Sequence, residues 1–121
     1  MTDLAASQVL FLHAQLCDRL HQTRGVRDVG ALRRALDASP ATSGDLFERA
    51  AALAAAFARY QPFAAANLPL AAAAAGLLLH TYDLDLRLQT TDMPGLHVLL
   101  TGNARAALVA WLRDHTEPSA V

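Results

Sequence analysis

The sequence predicts an all-α fold of about six helices arranged around a central apolar helix. Alanine and leucine supply most of the apolar content, which is 54% of the 121 residues, and both residues favour helices. Few β-branched or aromatic residues are available for strands. Apolar positions recur at helical spacing in several segments that are separated by turn residues. The length and the absence of a long linker predict a single domain over residues 1–121.

The first two helices are separated by a short glycine-containing turn. The first helix is expected over residues 5–22, and Arg24-Gly25 is expected to end it because glycine readily adopts a left-handed conformation. Asp28 can then cap a second helix over residues 29–38. The apolar face of the first helix is formed by Val9, Leu10, His13, Leu16, Cys17 and Leu20.

The third and fourth helices carry most of the alanine. Residues 39–44 form a turn-rich linker, and Asp45 opens a third helix that runs through Tyr60. The fourth helix is expected over residues 68–81, with Asn67 as its N-cap and Pro69 in its first turn, where proline is tolerated. Since this helix is apolar on all sides, it is the predicted central helix.

The last third of the chain mixes short segments. Apolar and polar residues alternate from Tyr82 to Leu88, which indicates a short extended segment. A fifth helix is expected over residues 94–100, ended by Gly102, and Asn103 is expected to cap a sixth helix that reaches about His115. Residues 116–121 are expected to form a loose tail.

The charge and residue counts exclude several classes of function. A net charge of −1 gives no long-range attraction for nucleic acid or an anionic membrane. All ten basic residues are arginine, so a lysine phosphate clamp and Schiff-base chemistry are excluded. Cys17 is the only cysteine, and the first residues lack the basic region of a signal peptide, so a reducing, cytoplasmic location is expected. The longest apolar run, about twelve residues, is too short to span a bilayer.

The histidines and acidic residues offer weak candidates for a metal or catalytic site. His13, Cys17 and His21 are spaced four residues apart on one helix face, and zinc accepts such ligands. We favour a core role, because no fourth ligand is visible, and expect no metal. His80, His97 and His115 are interpreted as helix-end or surface residues. Asp83, Asp85 and Asp92 are interpreted as a solvated loop, with a small acidic rim as the alternative.

The segment Arg-Gly-Val-Arg-Asp at residues 24–28 also has two interpretations. Arg24 and Arg27 can contact an anion, or they can form local pairs while Asp28 caps the second helix. We favour the structural interpretation.

The junction between the third and fourth helices, Gln61 to Leu70, has the frame of a phosphate-binding loop. The N-terminus of a helix offers free N–H groups and the positive end of the helix dipole, which suit phosphate. An enzyme built on such a loop adds a general base, an acidic metal ligand and a basic clamp. The loop offers Gln61, Ala65, Leu68 and Pro69 instead, and none of them is charged.

Taken in order, several segments resemble the Fic/Doc family, and most closely its short Doc (death-on-curing) branch. The resemblance covers nearly the whole chain. The matching segments are Val9-Leu10-x-x-His13, Gly25-Val-Arg-Asp28 with Leu32 and Ala35-Leu36, Asp45-Leu-Phe-Glu48 with the alanine-rich helix after it, residues 61–69, and Ala110-Trp-Leu-Arg113. The family motif at residues 61–69 is His-x-Phe-x-Asp/Glu-Gly/Ala-Asn-Lys/Gly-Arg.

The resemblance implies that this motif is degenerate in its chemical positions. Phe63, Ala66 and Asn67 match the family motif, and Pro62 is a frequent companion. Gln61 stands at the position of the catalytic histidine, and Ala65 stands where an acidic residue would hold magnesium. Leu68 and Pro69 replace the basic pair that includes the phosphate-binding arginine. No catalytic residue can therefore be assigned.

Active members of the family transfer phosphate or a nucleotidyl group from ATP to a protein hydroxyl. The loss of the charged motif residues predicts an inactive relative that needs no cofactor and binds protein, either an antitoxin-like helix or a second copy of itself. One alternative is an active transferase, with ATP and magnesium, that uses His13, His80 or Arg27 in place of the motif residues. A second alternative is a helical assembly module with no link to toxins.

Overall fold

The fold is known from a computed structural model that describes residues 4–38, 45–102 and 105–119. The mostly helical class predicted from the sequence is confirmed. The predicted linker at residues 39–44 and the predicted cap Asn103 lie outside the described residues. The elements of the described part are α1 (Ala6–Leu20), α2 (Val29–Asp37), α3 (Leu46–Tyr60), α4 (Asn67–Thr81), β1 (Leu84–Leu86), a 3₁₀ turn (Thr90–Asp92), α5 (Met93–Thr101), α6 (Arg105–Asp114) and β2 (Thr116–Pro118).

Helices α3 and α4 together form the centre of the core. Helix α4 packs on α3, α1 and β1, and α3 packs in addition on α2, α5 and α6. The predicted burial of α4 is confirmed, since seven of its residues are buried, and α3 shares its central position. Alanines without solvent exposure, among them Ala50, Ala51, Ala74 and Ala75, allow closely packed helices because their side chains are short.

Helix α1 is shorter than the sequence predicted. It begins one residue later than expected, and the Gln8 side chain accepts a hydrogen bond from the Ala5 N–H (2.8 Å) at this end. It ends at Leu20, because His21 adopts the left-handed conformation (φ 55°) and its N–H donates to the Cys17 carbonyl. The expected stop at Arg24-Gly25 therefore lies beyond the actual end of the helix.

Two aspartates cap helices, and the cap at Asp28 was predicted from the sequence. The Asp28 carboxylate accepts a hydrogen bond from the Ala31 N–H (3.1 Å) at the start of α2. The Asp45 carboxylate accepts one from the Phe47 N–H (2.8 Å) at the start of α3. Both interactions satisfy N–H groups that have no partner inside the helix.

A small antiparallel sheet corrects the prediction of a loose tail at residues 116–121. The predicted extended segment is confirmed as β1, and it pairs with β2 in the register Leu84 to Pro118 and Leu86 to Thr116. The Ser119 N–H also donates to the Asp83 carbonyl (2.9 Å). The pairing partner of β1 is thus the segment expected to be loose, because the strand offers it an open edge of backbone groups. Residues 120 and 121 lie outside the described residues.

The boundaries of the last two helices are close to the predicted ones. Helix α5 extends the predicted 94–100 by one residue at each end, and Gly102 is its C-cap as expected. Helix α6 ends at Asp114, one residue before the predicted end. None of the helices in the described ranges has both the length and the apolar character needed to cross a membrane.

Candidate functional site

The motif loop, residues 61–69, connects α3 to α4, and its first residue ends α3. Gln61 has a left-handed backbone (φ 45°, ψ 62°), and its N–H donates to the Phe57 carbonyl. Its side chain is exposed. The residue at the position expected for a catalytic histidine thus stops a helix, and an amide side chain there cannot accept a proton at neutral pH.

The backbone of the motif loop is hydrogen-bonded to the turn at residues 25–28. The Pro62 carbonyl accepts from the N–H groups of Arg27 (2.7 Å) and Asp28 (3.1 Å), and the Ala64 N–H donates to the Gly25 carbonyl (3.1 Å). Val26 and Phe63 form an isolated antiparallel bridge. The segment predicted to cap α2 is therefore also the platform on which the motif loop rests.

Both candidate anion-binding arginines are engaged within the chain. The Arg27 guanidinium donates to the carbonyls of Tyr60 (3.1 Å) and Gln61 (2.6 Å) at the C-terminus of α3, where cations are favourable. Arg24 forms an ion pair with Asp18 (Nε to Oδ1, 3.1 Å), and this hydrogen bond lowers the pKa of the Asp18 carboxyl. These contacts agree with the structural interpretation that we favoured from the sequence.

Asn67 ties the motif loop together but does not cap α4 as predicted. Its Oδ1 accepts from the Phe63 N–H (3.1 Å), and its Nδ2 donates to the Phe63 carbonyl (3.0 Å). The N-cap position is taken by Ala66, which has a left-handed backbone (φ 60°), and Asn67 is the first residue of the helix. An amide side chain has both a donor and an acceptor, and here both find the backbone of one residue.

His13 on α1 reaches the motif loop from the side. Its ring is 2% exposed and stacks on the Phe63 ring, with centroids 3.8 Å apart and planes at 15°. Its Nε2 lies 2.8 Å from the Ala65 carbonyl oxygen. Because a carbonyl can only accept, this nitrogen carries the proton and donates it. The bond joins residues 52 positions apart, and no local pattern in the sequence predicted it.

Cys17 packs against the buried His13 ring, whereas His21 is not part of this contact. The Cys17 sulfur lies 3.4 Å from His13 Nε2, and its thiol donates to the Thr23 carbonyl (3.6 Å). His21 is exposed at the end of α1. Within the described ranges no group of three His, Cys, Asp or Glu side chains has a geometry that could hold a metal ion.

The N-terminus of α4 has the free backbone N–H groups of a phosphate-binding loop. The first N–H groups of a helix have no intrahelical partner, but Pro69 contributes no N–H at all. The side chains of Ala65, Leu68 and Pro69 are half-buried and uncharged. The loop therefore presents backbone dipoles without a basic or acidic side chain of its own.

A separate polar cluster lies at the sheet, where Asp85 accepts hydrogen bonds from His80 and Ser119. Asp85 Oδ1 lies 3.2 Å from His80 Nδ1 and 3.1 Å from the Ser119 hydroxyl oxygen. These two hydrogen bonds lower the pKa of the Asp85 carboxyl, with a smaller contribution from Arg87. His80 is an exposed helix-end residue, as predicted.

The other histidines and aspartates that the sequence offered as candidates lie outside the Asp85 cluster. His115 stacks on Trp111 (3.9 Å between centroids), and its Nε2 lies 3.6 Å from Asp92 Oδ1. His97 is half-buried in α5, and Asp83 is a left-handed residue (φ 63°) that precedes β1. Asp85 and Asp92 thus each face a different histidine.

We expect the Asp85 cluster to make stability depend on pH in the acid range. A carboxyl whose pKa is lowered by folding stabilises the fold above its ordinary pKa of 3.8, and this contribution is lost as the pH falls through the folded value. Asp85→Asn should lower the melting temperature at pH 7, and its deficit relative to the unmodified chain should shrink as the pH falls below 3.8.

Thermal melts followed by circular dichroism across this range measure the effect. Asp83→Asn is the matched control, because asparagine tolerates the left-handed backbone and Asp83 is two residues away. A deficit of Asp85→Asn that stays constant with pH would contradict the assignment.

Comparison with protein-family models, with curated proteins and with solved structures finds no match to this chain.

Proposed function

We propose that this chain is a non-catalytic relative of the Fic/Doc family, of its Doc branch, and that it acts by binding protein. One observation carries the proposal. Three polar side chains near the motif loop could in principle transfer a proton or bind a phosphate. All three are instead hydrogen-bonded to backbone groups of the loop or of the residue before it. His13 donates to Ala65, Arg27 donates to Tyr60 and Gln61, and Asn67 bonds to Phe63.

The same contacts weigh against the active transferase with substitute residues. A general base must have a free lone pair within hydrogen-bond reach of the proton that it takes. His13 is buried, and the nitrogen that faces the loop already carries a proton. Arg27 would have to leave two carbonyls before it could bind a phosphate. Loss of a general base alone reduces a rate by about 10²- to 10⁴-fold.

Three large apolar side chains are strongly exposed: Phe11 on α1, Val29 on α2 and Val98 on α5, at 67%, 66% and 70%. Each offers an apolar contact to a bound protein, although single exposed apolar residues are common on protein surfaces. The partner we propose is a helical protein of the antitoxin kind or a second copy of this chain.

The proposal is tested by incubating the purified chain with labelled ATP, magnesium and a bacterial protein extract. We expect no transfer of phosphate or AMP to protein above a buffer control. The variants His13→Ala, Arg27→Ala and His80→Ala serve as comparison, since they remove the substitute residues one at a time. Transfer by the unmodified chain that any of these variants abolishes would overturn the proposal and would identify the active residue.

A further inference from the structure

One edge of strand β1 has no neighbouring strand in the described part of the chain. On the other edge, hydrogen bonds to residues 115–119 use the Asp83 carbonyl (2.9 Å) and the Arg87 N–H (2.7 Å). Along an antiparallel pair, residues that bond to the partner strand alternate with residues whose backbone groups point to the opposite edge. Leu84 and Leu86 therefore direct their N–H and C=O groups away from β2. An edge of this kind can pair with a strand of another chain.

A groove of about 400 Å³ lies between β1 and helices α1 and α4. Leu12 of α1 and Ala73 and Leu77 of α4 supply apolar surface to it, and Leu86 borders it on the β1 side. The leucines of β1 pack against the hydrophobic core. A strand added at the free edge would lie about 4.8 Å from β1, and its side chains on the core side would face the apolar surface of this groove.

Asp85 and Arg87 lie on the face of β1 opposite to the leucines, because successive side chains of a strand point to opposite faces. The Arg87 guanidinium makes only long contacts with carboxylates in the described part of the chain, at 3.8 Å from Asp85 Oδ2 and 3.7 Å from Glu117 Oε2. Both distances are longer than a direct hydrogen bond. Because the Arg87 side chain is 60% exposed, it can turn toward a carboxylate of a second chain.

We propose that two copies of this chain pair through the free edges of their β1 strands, which joins the two small sheets into one antiparallel sheet of four strands. The inference rests on the proposed function and deepens it, because it names a second copy as the bound protein and β1 as the surface that binds it. A two-fold axis between the two Leu86 residues brings the same surface of both copies together. Leu84 of each copy then lies opposite Leu88 of the other.

The charges of β1 select this register. With Leu86 opposite Leu86, Asp85 of each copy faces Arg87 of the other, so two ion pairs form across the interface. A shift of one copy by two residues is the smallest that keeps the outward backbone groups paired, and it places Asp85 opposite Asp85 or Arg87 opposite Arg87. Opposite charges stabilise a cross-strand pair and like charges destabilise it. The sequence of β1 is thus complementary to itself in one register.

The test is sedimentation velocity of the 121-residue chain at concentrations from about 10 µM to about 1 mM. A short strand pairing buries little surface, so we expect a weak dimer with a Kd on the order of 10⁻⁴ M. Arg87→Asp should raise the Kd about tenfold, because it places carboxylates opposite each other. Asp85→Arg should have the same effect. An equimolar mixture of these two variants should recover the affinity of the unmodified chain, because opposite charges again face each other.

Hydrogen exchange of the Leu86 N–H, followed by NMR, locates the interface without any substitution. This N–H is free at the edge in the monomer, so its exchange should slow as the concentration rises and the dimer forms. Circular dichroism melts establish that each variant is folded, since Asp85 also bonds to His80 and Ser119.

Arg19→Asp is the matched control, because it makes the same change of charge at an exposed arginine of α1. At about 0.15 M salt it should leave the Kd nearly unchanged, since distant surface charges are screened. A chain that stays monomeric at about 1 mM, or a dimer that Arg87→Asp and Arg19→Asp weaken equally, would overturn the inference. A dimer in which exchange of the Leu86 N–H does not slow would also overturn it. None of these outcomes involves ATP, so this inference and the transfer assay can fail separately.

Discussion

Replacing Phe63 by alanine is expected to lower the free energy of unfolding by about 3–5 kcal/mol. The Phe63 side chain is 1% exposed, belongs to the main hydrophobic core and stacks on the His13 ring. Its removal leaves a cavity directly beneath the motif loop and takes away the ring that positions His13. Urea denaturation followed by circular dichroism measures the change through the midpoint and the slope of the transition.

Phe11→Ala is the matched control for this substitution. It removes the same side chain at a position that is 67% exposed, so a change of at most about 0.5 kcal/mol is expected. If the two variants were equally stable, Phe63 would not be the anchor of the loop. The structural interpretation of the one aromatic residue that matches the family motif would then be wrong.

His13→Ala is expected to lower the free energy of unfolding by about 2–4 kcal/mol. An acceptor left without its partner costs about 1–3 kcal/mol, and loss of an aromatic pair costs about 0.5–1.5 kcal/mol. Both losses apply here, because His13 donates to the Ala65 carbonyl and stacks on Phe63. The same denaturation experiment measures the effect.

His21→Asn provides the control, since it changes an exposed histidine on the same helix and asparagine tolerates the left-handed backbone at this position. The double variant His13→Ala with Phe63→Ala should be less destabilised than the sum of the single variants by about 0.5–1.5 kcal/mol, because both remove the same stack. Full additivity together with an unaffected His13→Ala variant would show that His13 is free of the loop and available for chemistry.

The sequence predicted those parts of the fold that depend on neighbours along the chain. Asp28 was identified as a cap, and Asp45 as the residue that opens α3, because a carboxylate at a helix start bonds to a backbone N–H two or three residues away. The apolar character of α4 predicted its burial for a similarly local reason.

Contacts between segments that are distant along the chain could not be predicted from the sequence. The His13 bond to Ala65 spans 52 residues, and the Arg27 bonds to Tyr60 and Gln61 span 33 and 34. Their partners are backbone carbonyls, which every residue has, so the sequence contains no signal for them. The pairing of β2 with β1 was also missed, because the strand at residues 116–118 is too short to show an alternating pattern.

The error at Asn67 is different in kind. Asparagine is a favoured N-cap, and the sequence offered no competitor for its side chain. In the fold the chain turns back at Phe63, so its N–H and carbonyl come within reach of the same amide group. The cap is lost because two hydrogen bonds to one residue replace a single bond to the helix.

We propose that the motif loop is an architectural element that does not bind nucleotide. Isothermal titration of the 121-residue chain with ATP and magnesium tests this proposal. We predict no saturable heat above that of dilution, because the loop has no basic clamp or acidic magnesium ligand and Arg27 is bonded to two carbonyls. Saturable binding with a micromolar Kd that Arg27→Ala abolishes would contradict it.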